Sequence, residues 1–239
     1  MQNLLFVSQR RIRAAYVVVF LAASAGIRPA AAEDTPSRIG KAVAVLSQFT
    51  DSSGRRIPQQ DIADADCIAV IPGFKKGAAV VGVGFGRGFI SCRGDDNWSA
   101  PGAVALEGGS LGVQIGGEKI DIVILSMDKE LRSKLLSDRF TIGSDASAAW
   151  GNGKTAHGDS NAKILFFGHT KGAFAGFDLD GATLKPDDSS NETLYGKKIT
   201  NGEVVSEAAT PAVAQPLVEK LVLLLHRESA STSGSGSSR

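Results

Sequence analysis

From residue 77 to residue 92 the chain reads Gly-Ala-Ala-Val-Val-Gly-Val-Gly-Phe-Gly-Arg-Gly-Phe-Ile-Ser-Cys, with glycine at 82, 84, 86 and 88. Strict alternation is the period of a β-strand, in which successive side chains point to opposite faces. Gly82, Gly84, Gly86 and Gly88 therefore share one face, and Val81, Val83, Phe85, Arg87 and Phe89 share the other. A strand with a bare glycine face lets a second backbone or a bulky ring lie directly against it. It also bends sharply, as the corners of barrels require. The 28 glycines of the 239-residue chain fit a protein built of strands and tight turns.

Around that strand the pattern predicts further short strands over 67–71, 104–107, 110–116, 121–126, 140–149, 162–167 and 173–179, with Pro72-Gly73 as a turn. Apolar residues at helical spacing (Ile39, Val43, Leu46, Phe49) predict an amphipathic helix over 38–50. Shorter helices are expected from Pro58, over 128–136 with Asp128 as N-cap, and over 187–195 with Gly196 as the stop. A last helix over 211–228 carries Leu217, Val218, Leu221, Leu224 and Leu225 on one broad face, suited to the core, a membrane or a partner groove. The expected fold class is α+β: a glycine-rich antiparallel sheet or partly closed barrel flanked by a few short helices.

The first 32 residues read as an export signal. Arg10, Arg11 and Arg13 precede a short apolar run, and Ala30, Ala31 and Ala32 supply small residues for cleavage. That run is shorter than the roughly 20 residues that span a bilayer; an uncleaved anchor is the alternative. The expected organisation is a signal peptide over 1–32, a flexible start over 33–37, one domain over 38–205, a C-terminal helical region over 206–228 and a Ser/Gly tail over 229–239. Removing the four arginines of the signal from the 26 basic side chains leaves 22 against 25 acidic ones. Such a balance argues against nucleic-acid binding, which favours a distinctly basic surface. The expected location is exported, periplasmic or extracellular, with peripheral attachment to a membrane as an option. In such a compartment the two cysteines, Cys67 and Cys92, favour a disulfide over two buried thiols.

Catalytic patterns are weak. Gly108, Ser110 and Gly112 spell G-x-S-x-G, but the residues after Ser110 alternate as a strand instead of opening a helix. Gly82, Gly84 and Gly86 lie inside a strand with no helix to hold a phosphate. His157, His169 and His226 are scattered without metal-ligand spacing. Asp145, inside a predicted strand, calls for a partner. No catalytic residue, metal or cofactor is expected.

Several ordered segments resemble the SYLF domain family. They are Cys67 to Pro72 with Lys76-Gly77 and the glycine ladder, Trp98 to Pro101, Gly109 to Gly116, Phe140 to Ser147, Lys171 to Ala182 and Leu194 to Gly196. The resemblance covers roughly residues 38–205. It implies a non-enzymatic domain binding phospholipid or phosphoinositide head groups; the actin binding of some eukaryotic relatives is not expected of an exported chain. The residues expected at such a site are Lys75, Lys76, Arg87 and Arg93, because each basic side chain near an anionic membrane contributes about 1 kcal/mol. Ile39, Val43 and Phe49 are the candidates for insertion at the interface, the alternative being that their helix covers one end of the sheet. A structural or protein-interaction role, with the glycine-faced strand as docking edge, is the competing function; no protein partner can be named.

Overall fold

The computed structural model describes residues 34–51, 57–77, 83–94, 97–108, 119–151, 156–157, 162–170 and 179–232. The expected signal, Gly82, Ser110, the strand at 110–116, most of that at 173–179 and the end of the tail lie outside them. Among the described residues nine strands form one sheet: β1 (Cys67–Gly77), β2 (Val83–Cys92), β3 (Gly102–Glu107), β4 (Lys119–Ser126), β5 (Phe140–Thr141), β6 (Ala148–Gly151), β7 (Ala156–His157), β8 (Ile164–Thr170) and β9 (Thr183–Pro186). Their spatial order is β5-β9-β3-β2-β1-β4-β8-β6-β7. All pairings are antiparallel except β6 with β8. The helices are α1 (Thr35–Asp51), α2 (Gln59–Asp64), α3 (Arg132–Leu135), α4 (Asp188–Tyr195), α5 (Asn201–Glu207) and α6 (Gln215–Thr232). The fold is α+β.

Each face of the sheet has its own core. On the outer face Ile68, Val70, Phe89, Val123, Leu125, Leu165 and Phe167 pack against α1 and α6 through Ile39, Leu46, Phe49, Leu217, Leu221 and Leu224. On the inner face Ile71, Phe74, Ile90, Leu106, Ile122, Ile124, Phe140, Phe166 and Leu184 close on one another, with Leu131, Leu135 and Leu136 beside them. Buried on both faces, the central strands read as near-continuous apolar runs.

The glycine ladder sits on the inner face, and β1 fills it. Pro72-Gly73 is not a turn but a bulge inside β1: six residues from Val70 to Lys75 run opposite five from Phe89 to Phe85. Pro72 has no N–H for the ladder, and Gly73 takes the left-handed φ of +59° that an extra strand residue favours. The added residue changes the side-chain parity. Cys67, Ala69, Ile71 and then Phe74 point inward, while Ile68, Val70 and then Lys75 point outward. A Cβ at Gly84 would lie 2.1 Å from the Phe74 ring, and one at Gly88 would lie 1.8 Å from the Val70 carbonyl oxygen. The bare face is thus occupied by one ring and one backbone. Since β2 is paired on both sides, by β1 and β3, it offers no docking edge.

Other expectations shift at their ends. The strand expected over 140–149 breaks into β5, a turn and β6, because Gly143 adopts φ +86° and Asp145 accepts from the Thr141 N–H at 2.6 Å. The partner that Asp145 needed is Lys134, at 2.7 Å. Asp128 caps the turn ahead of α3 by accepting from the Glu130 N–H. Helix α5 was not foreseen, although Thr200 and Glu203 form a reciprocal capping box at its start. Asn191 and Asn201, both fully buried, bond to each other at 2.7 Å and to the two backbone groups of Ala103, which pins α4 and α5 to β3.

Candidate functional site

The basic residues singled out in the sequence separate in space. Lys75 is exposed near the far end of β1, and the side chain of Lys76 lies outside the described residues. Arg87 lies beside Phe85, with its guanidinium 5.8 Å from the ring centroid, and 3.4 Å from Asp187. That contact is an ion pair without hydrogen-bond geometry, since Arg87 Nε has no hydrogen-bond partner. Arg93 stands at the opposite end of the sheet. It donates to the carbonyls of Ile62, Ala63 and Ala65 at the C-terminal end of α2 and stacks 4.8 Å over Trp98. A cation at a helix C-terminus meets the negative end of its dipole, so Arg93 is tied to the fold and does not share a face with Lys75.

Ile39 and Phe49 are buried, each 2% exposed, and Val43 packs partly buried against the same core. The apolar face of α1 covers the sheet and presents none of the three to a membrane. Cys67 and Cys92, paired directly across β1 and β2, form a disulfide.

The register does assemble a surface. Where the helices leave the outer face uncovered, Thr183, Glu107, Phe85, Lys75 and Lys119 lie directly opposite one another across β9, β3, β2, β1 and β4. Directly paired residues share a face, so these five make one row. Phe85 is 42% exposed, an unusual position for a phenylalanine in the middle of a sheet. Lys75 and Lys119 are exposed, and among the described residues neither has an ion pair. Lys185 reaches Glu107 at 2.8 Å at the other end of the row. Directly opposed like charges cost stability in a sheet, and here they border an exposed ring. Sequence reasoning found Lys75 but missed Lys119, which enters the row only through the β1–β4 register. Phe85 was visible on the non-glycine face, yet nothing in the pattern distinguished it from the buried Phe89.

Behind the row, Asp187 anchors the structure. Its side chain is 5% exposed and accepts from Ser190 Oγ at 2.7 Å and Ser189 Oγ at 2.9 Å. Buried Arg38 approaches it at 3.4 Å. Burial pushes the Asp187 carboxyl up, but the serine hydroxyls and the Arg87 guanidinium outweigh it and hold the group below the ordinary carboxylate range. Tyr195 donates to the Pro101 carbonyl, and burial pushes its phenol far up. No group of three His, Cys, Asp or Glu side chains among the described residues is placed to hold a metal ion. His169 bonds to Gln48 and stands edge-on to Phe49.

A family model described as Ysc84, Las17-binding protein actin regulator, matches residues 107–223. The chain belongs to the Ysc84, or SYLF, family. It is 30% identical over 198 residues to the human SH3 domain-containing YSC84-like protein 1 and 32% identical over 200 residues to the SH3 domain-containing protein PJ696.02 of Schizosaccharomyces pombe. Each match covers 77% of this chain, but only 58% and 46% of those proteins. Protein YSC84 of Saccharomyces cerevisiae is 29% identical over 200 residues, which make up 42% of its length. The chain thus spans about half the length of the curated relatives it matches. No solved structure gives a significant match.

Proposed function

We propose that this SYLF domain is a non-enzymatic module of the cell envelope that docks on anionic lipid surfaces through the uncovered row of its sheet. The observation that carries the reading is Phe85, exposed at one end of the outer face beside Lys75 and Lys119, neither of which has an ion pair among the described residues. An exposed aromatic ring with two lysines to one side of it suits a membrane interface, where the ring sits among head groups and the ammonium groups meet lipid phosphates. The rest of the outer face is sealed by α1 and α6, so the contact would be shallow and peripheral. Among the described residues no single helix is long and apolar enough to cross a membrane. The expected export signal supplies the location in this reading.

A protein partner is the second reading, favoured by the binding description of the matching family model. It would use the same row, because the glycine face is closed from within.

Co-sedimentation with phosphatidylcholine vesicles, with and without phosphatidylserine, tests both. Binding only to the anionic vesicles, weakening with added salt, is expected. Reversing two lysines with Lys75→Glu and Lys119→Glu should weaken it about 30-fold or more, given about 1 kcal/mol for each cation lost. Absence of binding to either vesicle would reject the lipid reading in favour of the protein one.

A further inference from the structure

Glu107 is out of place on a surface that meets anionic lipid. It stands directly opposite Phe85 on β3, on the side of the ring away from Lys75 and Lys119. A carboxylate there is repelled by the same phosphates that the two lysines attract. Its hydrogen-bonding capacity is also only partly used. Oε1 takes the Lys185 ammonium at 2.8 Å, while Oε2 has no partner among the described residues.

Two donors border the same ring. Lys185 carries three N–H groups, and its one ion pair among the described residues, with Glu107, leaves the others to a ligand. Arg87 lies two residues from Phe85 on the same face of β2, with its guanidinium 5.8 Å over the ring. Its contact with Asp187 at 3.4 Å fixes the side chain without using a hydrogen bond, and it makes none elsewhere among the described residues. Glu107, Lys185 and Arg87 are all partly exposed. An exposed ring with an acceptor and two donors beside it suits a ring of hydroxyls, because each hydroxyl both donates and accepts. The C–H face of such a ring is apolar and packs on an aromatic π face. Neighbouring strands lie about 4.8 Å apart, so the carboxylate and the aromatic ring are separated by roughly the width of one sugar ring.

We infer that the Phe85 row recognises a neutral hexose borne by a lipid, an assignment that rests on the lipid reading above. The sugar stacks on Phe85 and donates one hydroxyl to Glu107 Oε2, while neighbouring hydroxyls accept from Arg87 and Lys185. Lys75 and Lys119, on the other side of the ring, meet the phosphates of surrounding anionic lipids. A shallow surface encloses too little of a free sugar to hold it well. A sugar presented by the membrane on which the lysines already rest binds at high effective concentration.

Co-sedimentation of the full chain tests this with phosphatidylcholine vesicles carrying phosphatidylserine, glucosyl diacylglycerol, or both at the same phosphatidylserine content. Glucosyl diacylglycerol is uncharged, so adding it leaves the electrostatic attraction as it was. It should raise affinity for the phosphatidylserine vesicles about tenfold, as one hydrogen bond to a charged group does. Glu107→Ala, with the near-ultraviolet circular dichroism of the parent, should respond in opposite directions. It should bind phosphatidylserine vesicles more tightly, because an acid has left the surface, and gain nothing from the glucolipid. Phe85→Leu keeps an apolar side chain but removes the ring, and should also lose the glucolipid gain. Equal affinity of the parent with and without glucolipid overturns the hexose site and leaves the anionic-lipid reading standing. Binding to glucolipid vesicles with none to phosphatidylserine vesicles would reject the anionic reading and keep the hexose. A full glucolipid gain in Glu107→Ala overturns the assignment.

Discussion

Gly88 has no room for even one more carbon: a Cβ there would lie 1.8 Å from a backbone oxygen of β1, in a strand paired on both sides in the interior of the sheet. Neither neighbour is the tip of a flexible side chain, so the clash cannot relax by a rotamer change. Gly88→Ala should therefore cost about 3 kcal/mol or more, measured by urea denaturation. Gly40, exposed in α1 with nothing within 4 Å of its Cβ position, is the opposite case. Gly40→Ala should raise stability by about 0.5–1 kcal/mol, because alanine restricts the unfolded chain and suits a helix. An equal response at the two positions would contradict the packing described for the ladder.

Among the elements, β1 and α5 depend on local devices that can be removed singly. The Cys67–Cys92 bridge joins directly paired residues, so reduction leaves the β1–β2 ladder hydrogen bonds in place and releases only the closed loop. The chain-entropy model puts that loss at about 3.5 kcal/mol for a loop of this length. A urea midpoint unchanged by reductant would show that the sheet alone fixes this end. Helix α5 is short, and its start rests on the Thr200–Glu203 capping box. Thr200→Ala should cost about 1 kcal/mol in the same assay. Because Asn201 follows the cap and holds the Ala103 backbone, the loss should also speed amide exchange at Ala103.

For the molecule as a whole, acid is the informative stress. The Asp187 carboxyl is held below its ordinary range in the folded state, so the unfolded chain binds a proton more readily. Its contribution is fully present above the unfolded value of about 3.9 and is lost as pH falls through the lower folded value. Asp128, Asp145 and Glu203 are shifted in the same direction by hydrogen bonds from Lys163, Lys134 and the Thr200 backbone. Stability should hold from pH 7 down to about pH 4 and then fall. Asp187→Asn should cost about 3–5 kcal/mol at pH 7, since it strips a buried partner from Arg38 and Arg87. The variant should lose less than the parent between pH 4 and pH 2, a difference readable from urea midpoints across that interval. Parallel losses would place the acid sensitivity elsewhere.

Local periodicity was enough for the α+β class, the two-faced β2 strand, the amphipathic character of α1 and the cap residues Asp128 and Gly196, because each depends on neighbours a few positions away. The Cys67–Cys92 pair was legible for a similar reason, since only one pairing exists. The tertiary structure alone decided what meets the glycines and which basic residues share a surface. The bulge at Gly73 inverts side-chain parity within one continuous strand, sending Phe74 inward and Lys75 outward, and no alternation count can register an added residue whose effect appears only against a paired neighbour. Strand register then sets Lys119 beside Lys75, although 44 positions separate them in the sequence, while it removes Arg93 to the far end. Position along a chain carries no information about which strand lies alongside; hydrogen-bonded pairing supplies it.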